Sequence, residues 1–176
     1  MRELTVRIEF TSPCLGNVKL KDGTPLSGRF VMLRSPDKHV MFLPTWWQAN
    51  MVLAAKVLGR HHAAVKKIHW DAFVDGIPRR RRCNDGDYEP VWFSRYYGSG
   101  RRRYSLHEAF YQGQTVGINC IVPPPIDDDT FLRLMNTIGR YKGISPFKPG
   151  EYGMFKVVTI QPRKAPELET AEKLMT

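Results

Sequence analysis

Cysteine is scarce: Cys14, Cys83 and Cys120 lie far apart and are odd in number. With no CxxC pair, neither a zinc site nor a disulfide framework is indicated, and a reducing, intracellular setting, the cytoplasm, is expected. No apolar run approaches the roughly 20 residues of a spanning helix, so no membrane partner is expected. The opening Met-Arg-Glu-Leu-Thr-Val has a strand pattern, not that of a signal peptide. Walker, helix-turn-helix and zinc-finger patterns are missing, as are internal repeats and low-complexity stretches. No two histidines stand at the i,i+4 spacing of helical metal ligands, and no metal or cofactor is expected.

Acidic residues are also few. Asp and Glu number 17 against 27 Lys and Arg, a net charge of +10 and a pI near 9.7. Such a balance draws polyanions, of which nucleic acid is the commonest, but it does not specify a fold. The 176 residues suit one domain with its own core, and an apolar content of 42% is that of a globular protein.

Leu4, Val6, Ile8 and Phe10 alternate with polar residues, the mark of a half-buried strand ending at Pro13. Residues 17–28, with Gly23, Pro25 and Gly28, read as a loop. Segments 29–33 and 39–43 flank Ser35-Pro36-Asp37 and predict a hairpin. A helix follows, with a capping-box spacing at Thr45 and Gln48, a core stripe of Trp47, Met51, Ala54 and Leu58, and a stop at Gly59. A strand is expected over 69–74. After the excursion described next, strands over 104–111 and 115–122 surround Gln112-Gly113-Gln114. Asp127 or Asp128 caps a second helix, whose stripe is Phe131, Leu134, Met135 and Ile138, with Gly139 as its stop. A last strand covers 154–160. The order is the β-α-β-β-α-β of a ferredoxin-like α+β domain over 1–162, an antiparallel sheet with two helices on one face. Extra features are an N-terminal hairpin, an insertion at about 76–103 and a polar tail over 163–176.

The insertion carries the strongest functional signal. Arg79, Arg80, Arg81, Arg82, Arg95, Arg101, Arg102 and Arg103 are interleaved with Tyr88, Trp92, Phe93, Tyr96 and Tyr97. Between residues 79 and 104 eight arginines face three acids, so half of the net charge sits there. Guanidinium forks match phosphate oxygens, and flat rings offer faces to unpaired bases. Single-stranded nucleic acid or RNA is therefore favoured over duplex DNA; alternatively the rings pack back onto the sheet. The loop over 139–153 adds Arg140, Lys142 and Lys148 among four glycines, including Gly143, whose backbone could approach a phosphate. The competing reading is a long connection between helix and strand.

Four histidines raise the question of catalysis. His107 next to Glu108 could serve as a general acid or base in metal-independent RNA cleavage, although neighbouring strand residues point to opposite faces. His61 and His62 follow a helix stop and suit its terminal carbonyls, and His69 opens a strand. Asp127, Asp128 and Asp129 precede a helix and read as its cap, not as a metal cluster.

Four stretches resemble a known family, the repeat-associated mysterious proteins (RAMPs) of CRISPR systems, an antiviral defence. Ile8-Glu9-Phe10-Thr11-Ser12-Pro13-Cys14-Leu15-Gly16 is similar to its first strand and following turn. His39-Val40-Met41-Phe42-Leu43-Pro44 stands before the first helix, Gln112-Gly113-Gln114-Thr115-Val116 before a later strand, and residues 138–153 resemble its glycine-rich loop. Thr45, Trp46 and Trp47 replace the family's Gly-Ser-Ser, and the last loop is longer and richer in proline. The resemblance implies a non-catalytic, RNA-binding subunit with a ferredoxin-like core and further protein subunits of a ribonucleoprotein as partners. Two alternatives stand beside it: the histidine endoribonuclease, and a phage-like basic module that docks on an acidic protein.

Overall fold

The computed structural model describes residues 1–16, 18–19, 29–78, 82–83, 86–87, 89–93, 103–145 and 152–163. The elements, in chain order, are strands β1 (Arg2–Phe10), β2 (Cys14–Leu15), β3 (Val18–Lys19) and β4 (Arg29–Val31), then helices α1 (Pro44–Leu58) and α2 (His62–Val65). They continue with β5 (His69–Asp75), β6 (Arg82–Cys83), β7 (Gly86–Asp87), β8 (Glu89–Phe93), β9 (Arg103–His107) and β10 (Ala109–Phe110). Strand β11 (Thr115–Val122), helix α3 (Asp128–Tyr141) and strand β12 (Phe155–Pro162) close the fold.

The main sheet has the order β12-β1-β11-β5, every pair antiparallel. Helix α1 joins β1 to β5 and α3 joins β11 to β12, so the domain is ferredoxin-like. Alternation explains the layering: Leu4, Val6, Ile8 and Phe10 of β1 and Val116, Ile118, Cys120 and Val122 of β11 are buried under the helices. They share one core with Trp47, Met51 and Ala54 of α1 and Phe131, Leu134, Met135 and Ile138 of α3. Each fully buried large side chain contributes about 1.5–3 kcal/mol. Trp47 stacks on Trp70 of β5, ring centroids 4.8 Å apart. Trp46 is only half-buried.

Several local expectations are corrected. Thr45 and Gln48 form no capping box: Leu43 is the N-cap without a side-chain bond, Pro44 starts the helix, and Gln48 donates to the carbonyl of Val65. Proline does this work because its fixed φ suits the first turn and its missing N–H is an orphan there anyway. Gly59, in the left-handed conformation at φ 66°, does end α1. Gly139 does not end α3. It lies inside that helix, where an added Cβ would come within 2.2 Å of the Phe155 carbonyl oxygen, so the position needs glycine for close contact with β12. The turn at 35–39 exists, with Ser35 N–H donating to His39 O and Met41 N–H to Leu33 O. Its flanks, however, do not form one ladder. Strand β4 joins a second sheet of order β3-β4-β9-β8, and residues 40–42 line the outer edge of β5.

Residues 104–111 are not a strand of the main sheet. They divide into β9, which pairs with β8 and in parallel with β4, and β10, which pairs with β2. The excursion between β5 and β11 is therefore longer than 76–103. The expected loop at 17–28 contains β3 at Val18–Lys19, and its other residues lie outside the described ones. In the tail, Arg163 N–H still donates to Glu3 O, and residues 164–176 lie outside the described ones. Among the described residues no helix is long and apolar enough to cross a membrane.

Candidate nucleic-acid interface

Within the excursion, β8 and β9 form an antiparallel ribbon registered from Glu89 opposite His107 to Phe93 opposite Arg103. Residues 94–102 connect its two strands. Arg79, Arg80, Arg81, Arg95, Tyr96, Arg101 and Arg102 lie outside the described residues, as does Lys148. For Arg82, Trp92 and Arg103 the backbone alone is described, in β6, β8 and β9.

The root of the ribbon is built from two side chains that the sequence brought forward for another reason. His107 is fully buried; its Nδ1 lies 2.5 Å from the carbonyl oxygen of Gly16, and its ring stacks on Phe30 at 4.7 Å and 8°. A carbonyl partner assigns the proton to Nδ1. Burial pulls the imidazole pKa below its ordinary value, and the Gly16 bond opposes this only in part. Glu108 is buried beside it. Its Oε2 accepts from Met32 N–H at 2.8 Å and from Arg34 Nη1 at 2.7 Å, while Arg34 Nη2 donates to Oε1. The backbone of Glu108 bonds to Phe30 O and Gly16 N–H as well. Sequence alternation predicted opposite faces for the pair. Both sides of this short segment are covered, one by Gly16 and Phe30 and the other by Arg34, so both residues are interior.

The loop after α3 uses its glycines internally. Gly143, at φ 65°, donates its N–H to Ile138 O and accepts from Asn50 Nδ2 of α1 at 3.1 Å. Ile144 N–H donates to Gly153 O, and Gly153 N–H to Pro13 O. Ser145 holds β2, its hydroxyl accepting from Leu15 N–H at 3.1 Å. The exposed chemistry there is carried by side chains: Arg140 and Lys142 flank Tyr141, which is 66% exposed. Tyr141 and the buried carboxamide of Asn50 were not singled out from sequence. An Arg-Tyr-Lys run and a polar residue on a core-facing stripe are the signals that could have found them.

The face of the main sheet away from the helices is polar with paired charges. Arg7 lies 3.6 Å from Asp75 and Lys156 lies 2.9 Å from Glu9. Thr5 Oγ1 donates to Asn119 Oδ1 at 2.7 Å.

The three aspartates before α3 go to separate partners. Asp127 caps the helix by accepting from Thr130 N–H at 2.7 Å, and bonds from Thr130 hold its carboxyl below the usual range. Asp128 pairs with Arg2 and Asp129 with Arg133. His61 N-caps α2, and His62 and His69 are exposed. Among the described residues no group of three or more His, Cys, Asp or Glu side chains could hold a metal ion. Cys14 and Cys120 are free and buried, which pushes the Cys120 thiol up to about 12 and raises that of Cys14 further.

No protein-family model and no curated protein matches this chain. Among solved structures it is similar to a chain in the cryo-EM structure of the Type III-B Cmr-beta bound to cognate target RNA. The TM-score is 0.58 at 12% identity, over 91% of this chain and 60% of that one. At this identity the likeness establishes the fold, and the present chain spans about 60% of the neighbour's length.

Proposed function

We propose that the protein binds single-stranded nucleic acid, with RNA as the preferred form, and that it acts without catalysis as a RAMP-like subunit of a larger ribonucleoprotein. The observation that carries this reading is the ribbon of β8 and β9, held at its root by His107 and Glu108, with Arg103 at the start of β9, Arg95, Tyr96, Arg101 and Arg102 in its connecting segment, and Arg82 ahead of it in β6. A base fixed by buried bonds limits the conformational entropy lost when a chain docks on the arm. Arg79, Arg80 and Arg81 precede the arm in sequence. Trp92 and Tyr96 supply rings for bases, and Arg140, Lys142 and Lys148, around Gly143, supply a second cationic contact. There Gly143 acts by shaping the loop. Its fold-level likeness to a chain from an RNA-bound assembly supports RNA and protein subunits as partners.

The endoribonuclease reading needs His107 at a substrate. A buried ring committed to Gly16 and Phe30 suits an anchor better. The test is binding of a labelled single-stranded RNA by wild type and by a variant with Arg101, Arg102 and Arg103 changed to Gln. Loss of most of the affinity supports the reading; unchanged affinity removes the arm from it.

A further inference from the structure

A groove of about 470 Å³ opens where the excursion leaves the main sheet. Its wall includes Phe73 of β5, His39 and Lys38 from the 35–39 turn, Asn119 of β11, and Ile77, and it runs to Pro78, the residue before the first arginine cluster. The backbone explains how these groups meet. Residues 40–42 pair with the outer edge of β5, through Phe42 N–H to Ala72 O and Val74 N–H to Val40 O. That pairing sets the turn beside Phe73. Lys38 closes the turn at φ 66°, with its N–H on Ser35 O.

The groove combines four chemistries. Phe73 of β5 is 50% exposed and Ile77, two residues past the end of that strand, 84%, so two large apolar side chains face solvent here. The His39 ring meets Phe73 edge-on with centroids 6.1 Å apart, so the Phe73 ring is supported from one side. Lys38, exposed, supplies a positive charge, and Arg34 lines the wall while it holds Glu108. Asn119 has its oxygen occupied by Thr5, which leaves its N–H₂ as what it can offer a ligand. Asp75 also lines the wall; its carboxylate, 3.6 Å from Arg7, disfavours a phosphate close by and has acceptor capacity for the amino group of a base.

We infer that this groove is a stacking subsite that takes one unpaired nucleobase on Phe73 and its neighbouring phosphate on Lys38, as a strand held by the arm passes the arm's root. The inference deepens the proposed function and rests on it. A base within a duplex has both faces covered by its neighbours, so the subsite selects single strands.

The probes are a short fluorescein-labelled oligouridylate and an abasic strand of the same length, measured by fluorescence anisotropy. Phe73→Ala weakens the oligouridylate about 5- to 150-fold, the range of one lost base–aromatic stack. Phe73→Trp keeps wild-type affinity, and the abasic strand does not distinguish Phe73→Ala from wild type. Lys38→Gln weakens both strands and makes binding less steep in salt. Thermal melting of each variant checks the fold, and His39→Ala, at an exposed position, is the second variant should Phe73→Ala melt early; it weakens the oligouridylate alone. Wild-type affinity for the oligouridylate in both Phe73→Ala and His39→Ala overturns the subsite, while loss of binding in the Arg101, Arg102 and Arg103 variant would still uphold the arm. If wild type binds neither probe at low salt, the parent reading falls and takes the subsite with it.

Discussion

Arg34 and Glu108 meet in a two-pronged ion pair beneath the arm, the guanidinium 27% exposed and the carboxylate 1%. The pair joins the turn segment before α1 to the end of β9, and the same carboxylate satisfies Met32 N–H. Removing one partner of a buried pair costs about 3–5 kcal/mol, since the other charge stays desolvated. Arg34 can turn toward water, so Glu108→Ala is expected near the low end, about 3 kcal/mol, measured by urea unfolding. A change under about 0.5 kcal/mol, the level of an ordinary surface substitution, contradicts the anchor.

His107 makes the anchor sensitive to acid. Its folded pKa lies below the ordinary value near 6.5 because burial disfavours the imidazolium. As pH falls through about 6.5 the unfolded chain takes up a proton that the folded chain refuses. Stability is full above that value and declines below it, until the folded pKa is reached. The slope is at most about 1.4 kcal/mol per pH unit for one group. A His107→Gln variant, less stable at neutral pH, should show a shallower loss between pH 6.5 and 5. Parallel stability curves for variant and wild type in that interval exclude His107 as the source.

Gly139 fixes the distance between α3 and β12. A Cβ there meets the carbonyl oxygen of Phe155 at 2.2 Å, and backbone cannot move aside as a flexible side-chain tip can. Gly139→Ala would gain helix propensity on an exposed site. Here it should destabilise by about 1–3 kcal/mol, the usual cost of overpacking. A melting temperature at or above wild type contradicts the packing.

These residues also mark what a sequence does and does not disclose. β1, β11, α3 and β12 were legible because each has one wet and one dry face, and amphipathic periodicity follows directly from that. The ferredoxin-like order followed from them. The division of 104–111 into β9 and β10 was not legible, because it depends on partners distant in the chain, β4, β8 and β2, which local pattern does not encode. Thr45 and Gln48 had the letters of a capping box, but Pro44 had already started the helix one residue earlier. His107 was conspicuous as a titratable group beside arginines. Its burial arises from Gly16 and Phe30, contributed by a segment many residues away. The proximity of Phe73 and Lys38 was not legible, since it depends on the pairing of residues 40–42 with the edge of β5.

The most direct test of the arm as a nucleic-acid grip is the salt dependence of binding to single-stranded RNA. Each phosphate neutralised contributes about −0.7 to the slope of log affinity against log salt. A steep wild-type slope is expected, reduced by about two units when Arg101, Arg102 and Arg103 become Gln. Binding that is flat in salt, or equally steep in that variant, contradicts it.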